Sequence, residues 1–404
     1  MKKDIEVSEA IRLLLGLSVE LNTEQIQVGE TYGRVLAEDV AAALPYPPFD
    51  RSPFDGYAFR AADVAVASKD APVTLTINQE IPAGHTPKGD VPSGFAAKIL
   101  TGAPIPPGAD AVVKFEDTDF TAETVTIYEP AYAGSNIVRA GEDIPVGTEL
   151  APKGTVILPA LMGLLASQGL RTVPVYRKPV VAVLNTGTEL AELGVPLPPG
   201  MIYNSSMYTQ QGFLESLGAD FHDAGVVTDD EDEIAARISA VLRAADMVIT
   251  TGGASVGDYD CALRAAERAG GEILFWKVRM KPGGSLLAYR LDGKLVLSLS
   301  GNPGAAALGL LRLGLPYIRK LCGRTDVLHE TCRVHLHTAM KKETPRLRVL
   351  RGYLELRDGE AWFVENEGQG GGDISSLLRC DLLAEIPGGS PPLPEGALVT
   401  AYRI

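Results

Sequence analysis

Between about residues 177 and 321, short apolar runs alternate with helix-length amphipathic stretches, and this alternation constrains the fold most. KPVVAVLNTG, ADFHDAGVV, DMVITTGG and EILFWKVRM read as strands. Between them, NSSMYTQQGFLESLG, DDEDEIAARISAVLRAA and YDCALRAAERAGG read as helices. Asn204 and Ser205 offer the first helix an N-cap, and Gly218 a stop. Asp229, Asp230 and Glu231 suit the positive start of the second, which carries Ile234, Ile238, Val241 and Leu242 on one stripe. LLAYRLDGKLVLSLSG folds back at an Asp292-Gly293 turn. GNPGAAALGLLRLGL then opens a helix with Asn302 as cap and Pro303 first inside. The pattern predicts a three-layer α/β domain around a mainly parallel sheet.

The flanking segments obey other periods. From Pro45 to about Ala140 the chain is rich in Pro and Gly, with short runs such as VTLTINQ, AAKIL, ADAVVKF and ETVTIYE, which predicts a β-rich domain. GTELAPKGTVILPALMGLLASQGLRTVPVY holds one short helix between strands. From about Asp326 onward the runs are strand-like again, a small C-terminal β domain. The opening MKKDIEVSEAIRLLLGL reads as a helix with Ser8 as N-cap and Ile11, Leu14 and Leu15 on one face. It is a poor signal peptide, and no apolar run reaches the roughly 18 residues of a membrane span, so the expectation is a cytoplasmic protein.

Composition excludes several chemistries. Of 404 residues, 37 are basic and 51 acidic, a net charge of −14 that argues against duplex nucleic acid. Any anion site must therefore be built locally. Cys261, Cys322, Cys332 and Cys380 form no C-x-x-C pair, so neither a thiolate zinc site nor a disulfide framework is expected. His335 and His337, two apart, read as a solvated strand face rather than metal ligands.

Three loops fall where open parallel sheets bind ligands, beyond the carboxyl ends of strands. They are Asn185-Thr186-Gly187-Thr188-Glu189, Thr250 to Gly257, and Ser300-Gly301-Asn302-Pro303. Glycine lets backbone N–H groups approach a phosphate. One helix end contributes only about 0.3–1 kcal/mol toward a nearby charge, so several loops plus cations are needed. Each loop alone is ordinarily a connector. Their convergence makes Glu189 and Asp260 candidates for metal ligand or general base, since Mg²⁺ commonly takes one or two carboxylates plus substrate phosphate oxygens. Positive charge is expected from FWKVRMKPGG, where Lys277, Arg279 and Lys281 are two apart and would share a strand face. Asp50 and Asp55 in PPFDRSPFDGYAF occupy a proline-stiffened loop, where an acid ordinarily serves as a cap or turn residue.

Together these stretches resemble the molybdopterin molybdotransferase family, MoeA and the gephyrin E domain. FDGYAF resembles its MDGYA motif and LTGAPIPPGADAVV its TGAPxPxGADAVV, and AGEDI, NTGTEL, TTGGASVGDYD, FWKVRMKPG and SGNPG follow in family order. The resemblance implies an α/β and β multidomain chain. It would comprise a molybdopterin-binding α/β domain (177–325), a β-rich domain (45–140), a small discontinuous linking domain (1–44 plus 141–176) and a barrel-like C-terminal domain (326–404). It further implies an elongated homodimer, its cleft between the α/β domain of one subunit and the β-rich domain of the other. The family hydrolyses adenylylated molybdopterin with molybdate and Mg²⁺, releasing AMP and leaving molybdenum on the dithiolene. The adenylyltransferase acting one step earlier and recipient apo-molybdoenzymes are implied partners; a membrane is not.

Carried over by motif, Asp55, Thr101, Asp143, Glu189, Asp260, Lys277 and Lys281 are the implied catalytic set, with Asp143, Glu189 and Asp260 as metal or water-positioning ligands. Thr186, Gly187, Asp229, Gly252, Gly253, Ser255, Gly301, Asn302 and Pro303 are the implied ligand-binding set, although a helix-start role competes for Asp229. Departures stand beside these matches. Gly284 replaces a basic residue of KPGKP, Ala305 a hydroxyl, Asn204 an aspartate and Phe54 a methionine. Loss of a charge-assisted donor weakens oxyanion binding by about 1.5–3 kcal/mol, so a lysine restored at Gly284 is expected to raise that affinity. The implied function is molybdate insertion. The alternatives are a divergent paralogue that inserts another oxyanion or none, and a non-catalytic dimeric scaffold.

Overall fold

Val180–Thr186 and Met247–Thr251 are buried almost without interruption, the pattern that a central parallel strand covered on both faces requires. The computed structural model describes residues 1–253 and 261–404. The chain separates into two units, one of Met1–Glu38, Lys153–Leu158 and Thr172–Ile404, the other of Asp39–Pro152 and Pro159–Arg171.

The first unit is built on a seven-stranded sheet. Its order is Lys2–Ile5, Glu272–Val278, Leu287–Leu291, Lys294–Leu299, Met247–Thr251, Val180–Thr186, Asp220–Val227. Only Leu287–Leu291 runs antiparallel to its neighbours, because the Asp292-Gly293 turn, with both φ positive, folds it back as a tight hairpin. One face buries Met207, Leu214, Ala306 and Leu308, the other Ile234, Ile238, Leu242 and Ala265, which completes three layers. Asn204 caps the Ser205–Ser216 helix through Met207 N–H at 3.2 Å. Asp230, not Asp229, caps Glu231–Leu242, its Oδ1 accepting from Asp232 and Glu233 N–H at 3.0 and 2.9 Å.

The opening residues correct the helical reading. Lys2–Ile5 is an edge strand parallel to Glu272–Val278, and the helix spans Val7–Leu15 with Glu6 at its N-cap. Ser8 lies inside the first turn and caps nothing; Val7, Ala10 and Leu14 are buried, whereas Ile11 and Leu15 are half-buried. Four residues carrying two lysines and an aspartate are too short and polar to show a strand period.

The C-terminal part of this unit closes into a five-stranded barrel. Leu347–Arg357, Glu360–Glu365, Thr331–Leu336, Leu398–Arg403 and Leu382–Ile386 pair in turn, and the last returns to the first. Val334, Leu336, Leu350, Phe363 and Leu382 fill it. Val349 and Leu383 point instead into the core of the α/β sheet. Between Pro303–Gly309 and Leu315–Leu321 lies a π-helical turn, Leu310–Gly314, and the Leu311 carbonyl accepts from His329 Nε2 at 2.7 Å.

The second unit carries a six-stranded sheet ordered Ala111–Lys114, Gly56–Phe59, Phe95–Ile99, Val73–Ile81, Thr124–Ile127, Thr118–Phe120. Its pairs are antiparallel except Val73–Ile81 with Phe95–Ile99. Alternation sends Tyr57, Phe59 and Ala111 into one core and Ala58, Val112 and Ile99 into another. No helix among the described residues is long and apolar enough to cross a membrane.

Candidate functional site

In the first unit, three loops meet at the carboxyl edge of the parallel strands. Gly252 has φ +97, and a Cβ there would stand 2.3 Å from the Thr186 carbonyl oxygen and 2.5 Å from Thr186 Oγ1. A Cβ on Gly301 would in turn stand 3.3 Å from the Gly252 Cα. The loops after Val180–Thr186, Met247–Thr251 and Lys294–Leu299 therefore touch backbone to backbone, which only glycine permits. Gly253 (φ +66) continues this contact. Thr186 Oγ1 and Asn185 Oδ1 are buried there without a hydrogen-bond partner among the described residues.

The acids lie outside this glycine contact. Glu189 is exposed and its carboxylate curls back over Gly187, whose φ is +146; an added Cβ would stand 2.5 Å from Glu189 Oε2. Gly187 N–H donates to Val227 O at 3.2 Å, which brings in the next loop and exposed Asp229. Asn302, also exposed, holds the N-cap position of Pro303–Gly309 without a side-chain cap bond. Ser255 and Asp260 lie outside the described residues.

The three basic residues do not share one strand face. An extra residue between Ile273 and Phe275 shifts the register, Lys277 has φ 65, and the strand ends at Val278. Lys277 Nζ lies 4.4 Å from the Trp276 ring centroid, Arg279 pairs with Glu6 at 3.0 Å, and Lys281 stands opposite Arg348 of the barrel. The turn that follows explains Gly284. A Cβ there would stand 2.3 and 2.4 Å from the carbonyl oxygens of Met280 and Val278. A lysine at this position needs the backbone to move, a cost that the expected gain in oxyanion affinity did not include.

A cation missed in the sequence reaches the same edge from the barrel. Arg351 is fully buried and donates to the carbonyls of Gly370 at 2.9 Å and of Gly368 and Asp373 at 3.3 Å. Its Nε has no partner among the described residues. Gly371 of the same loop accepts from Ala305 N–H at 2.8 Å, and a Cβ on Gly304 would lie 2.6 Å from Arg351 Nη1. The guanidinium thus sits under the first turn after Asn302. The signals were an arginine at an inward position of a strand and the glycine run 370–372. Ala305 is buried against Gly371, so a hydroxyl at 305 would face that loop.

In the second unit, Asp55, Thr101 and Asp143 lie on loops tied to one segment. Arg51 exchanges backbone hydrogen bonds with Val138, Ser52 N–H donates to Ala103 O, Gly102 N–H to Ser52 O, and Asp143 N–H to Tyr46 O. Asp50 braces them: it accepts from Ala140 N–H at 2.8 Å and pairs with Arg139 at 2.6 Å. Those contacts, the backbone N–H foremost, hold the Asp50 carboxyl below the usual range. Asp55 Oδ1 accepts both the N–H and the hydroxyl of Thr101, each at 2.7 Å. The N–H first and the hydroxyl second lower its carboxyl too, so exposed Asp55 stays ionised. Asp143 is exposed.

Touching glycine loops at the carboxyl edge of an open α/β sheet, with the Arg351 guanidinium beneath them, are the arrangement in which such sheets bind small anionic ligands, here in a multidomain chain with a β-rich second unit. Family models match almost end to end: the MoeA N-terminal region (domains I and II) over residues 5–169, a probable molybdopterin-binding domain over 182–320, and the MoeA C-terminal region (domain IV) over 333–404. The chain belongs to the MoeA family. It is 34% identical over 406 residues to a molybdopterin molybdenumtransferase of Bacillus subtilis, covering 99% of this chain and 94% of the relative. A Staphylococcus aureus protein of the same name is 33% identical over 98% of this chain and 95% of its own length. The crystal structure of a molybdopterin biosynthesis MoeA protein from Pyrococcus horikoshii superposes with a TM-score of 0.84 at 30% identity, over 99% of both chains.

Proposed function

We propose that this chain is a molybdopterin molybdotransferase that acts on adenylylated molybdopterin, takes molybdate and releases AMP. The observation that carries the reading is the three-loop contact of Thr186, Gly252 and Gly301 at the sheet edge, within a chain matched throughout to MoeA regions. Backbone N–H groups of Gly252, Gly253 and Gly301, in loops that also bring up Gly187, Asn302 and Pro303, hold the pterin phosphate. Thr186 Oγ1, buried without a partner among the described residues, is a ready donor toward it. Asp229 and Ser255 complete the binding set, and Arg351 adds positive charge under the Asn302 turn.

The donor chemistry fits Mg²⁺. Exposed Glu189 beside the glycine edge offers hard carboxylate oxygens. One or two carboxylates plus substrate phosphate oxygens suffice for this ion, with Asp143 and Asp260 as further ligands. When bound, it supplies charge neutralisation at the pyrophosphate. Asp55, kept ionised by Thr101, positions the attacking water, while Lys277 and Lys281 stabilise charge developing on the leaving phosphate. The chain is further proposed to work in the cytoplasm as a homodimer with the 1–44 plus 141–176, 45–140, 177–325 and 326–404 organisation, and to meet the adenylyltransferase and recipient apo-molybdoenzymes.

The test follows AMP release from adenylylated molybdopterin with Mg²⁺, with and without molybdate, beside activation of an apo-molybdoenzyme. Molybdate-stimulated release with activation is expected, and Glu189→Gln should lower release by roughly a hundredfold or more. Binding of the nucleotide without release or activation would sink the assignment.

A further inference from the structure

Lys114 ends the edge strand of the second unit's sheet, where the chain leaves the core. It stands in register with Gly56, and Gly56 with Ile99. Directly paired residues put their side chains on one face, so these three form a single rung. Gly56 cannot carry a side chain, because a Cβ would fall 1.9 Å from the Val113 carbonyl oxygen. The middle of the rung therefore carries no side chain, its place being taken by the Val113 carbonyl. One residue further along stand Asp55 and Phe115, linked by Phe115 N–H to Asp55 O at 3.2 Å, and beyond Ile99 come Leu100 and Thr101. Lys114 thus lies one rung inside the edge that carries the Asp55–Thr101 pair.

Its ammonium is held in place. Lys114 Nζ sits 4.4 Å from the centroid of the Phe54 ring, over the residue that precedes Asp55. A cation over an aromatic face is attracted by the ring quadrupole, and a half-buried lysine gains more from it than an exposed one. Ser52 fixes that ring's backbone: its hydroxyl donates to Phe54 O at 2.6 Å. Lys114 forms no ion pair among the described residues, in a chain whose net charge is −14. An ammonium fixed beside an acid-bearing loop, in ion pair with no carboxylate of the described residues, fits an anion that arrives from outside. Phe54 is also where this chain departs from the methionine of the motif it resembles, and a methionine offers no ring quadrupole.

We propose that Lys114, positioned by Phe54, is a substrate-binding cation of the Asp55–Thr101 edge and contacts a tetrahedral oxyanion of the substrate. The oxyanion is a nucleotide phosphate or molybdate. The proposal rests on the transferase reading for its substrate, but its charge chemistry can be tested alone. The full chain is titrated calorimetrically with AMP and, separately, with molybdate, as wild type, Lys114→Met, Lys114→Arg and Phe54→Met. Lys114→Met should weaken one of the two probes by roughly tenfold or more, the loss of a charge-assisted bond. The affected probe identifies which oxyanion is held. Lys114→Arg should keep most of the affinity, and Phe54→Met should weaken the same probe by a smaller factor. The salt dependence of that affinity should become shallower in Lys114→Met, which a purely structural role for the side chain would not cause. Equal affinity of wild type and Lys114→Met for both probes overturns the proposal, as does an Arg variant no better than Met. Absence of AMP release from adenylylated molybdopterin by wild type, with Lys114-dependent oxyanion binding intact, would defeat the transferase reading and leave this one standing.

Discussion

Thr101 controls the charge of Asp55 through two bonds to a single carboxylate oxygen, one from its backbone N–H and one from its hydroxyl. Thr101→Val removes only the second. The folded carboxyl lies below its ordinary value, so its ionised form is favoured above that value and the advantage is lost as pH falls through the lowered one. The variant should move the Asp55 titration upward, partway to the ordinary range, and carry the acid limb of the pH–rate profile with it. Carboxyl carbon NMR follows the first and initial rates the second; an unmoved titration would mean that the N–H alone sets the charge. Gly284 makes a different point at the same scale. Gly284→Lys would press a Cβ onto two carbonyl oxygens at 2.3 and 2.4 Å, so the expected result is a loss of about 1–3 kcal/mol in denaturant unfolding with no gain in molybdate affinity. The residue type alone suggests a missing charge, whereas the backbone around it shows why glycine stands there.

The π-helical turn Leu310–Gly314 is an element whose stability should depend on pH. It frees the Leu311 carbonyl, which His329 Nε2 meets at 2.7 Å, while Nδ1 lies 3.2 Å from Arg403 O. Burial first, and then the Arg312 charge, push this imidazole down to about 4, against the pull of the two carbonyls. Facing it are Arg312, itself paired with Glu385 at 2.6 Å, the Tyr402 ring, and Arg319. Below the ordinary value of about 6.5 the unfolded chain takes up a proton that the folded chain refuses until about 4. Stability should therefore be full above about 6.5 and fall between there and 4. His329→Gln should flatten that fall, read as urea midpoints at pH 7.5 and 5 from tryptophan fluorescence. An equally steep fall in the variant would assign the acid sensitivity elsewhere. At this scale the sequence was legible wherever a period was long enough. The helices capped by Asn204 and Asp230 and the hairpin at Asp292-Gly293 follow from local chemistry. Lys2–Ile5 did not, since its partner lies some 270 positions away. The shared face drawn for Lys277, Arg279 and Lys281 failed because alternation assumes unbroken extended backbone, and Lys277 at φ 65 breaks it. Arg351 stayed hidden because an arginine among strand residues reads as solvent-facing until a carbonyl-lined seat is seen.

For the whole molecule, the sequence announced an α/β domain flanked by β-rich segments, but not that the chain crosses between two units four times. Crossings are set by tertiary contact, and no local period records them. They matter for how the protein unfolds. The first unit buries the two sides of its sheet and the barrel, while the second has its own cores around Tyr57, Phe59 and Leu75 and around Ala58 and Val112. Chains with several cores commonly depart from two-state unfolding. Both tryptophans, Trp276 and Trp362, belong to the first unit, so tryptophan emission reports on that unit alone, whereas far-ultraviolet dichroism sums over both. The two probes should therefore give non-coincident urea transitions. Leu75→Ala, which empties a fully enclosed position in the second unit, should cost about 2–5 kcal/mol there. If the units unfold separately, it displaces the dichroism transition and leaves the tryptophan midpoint in place. If it moves both midpoints equally, the four crossings bind the units into one cooperative block, and the protein unfolds as a single structure despite its separate cores.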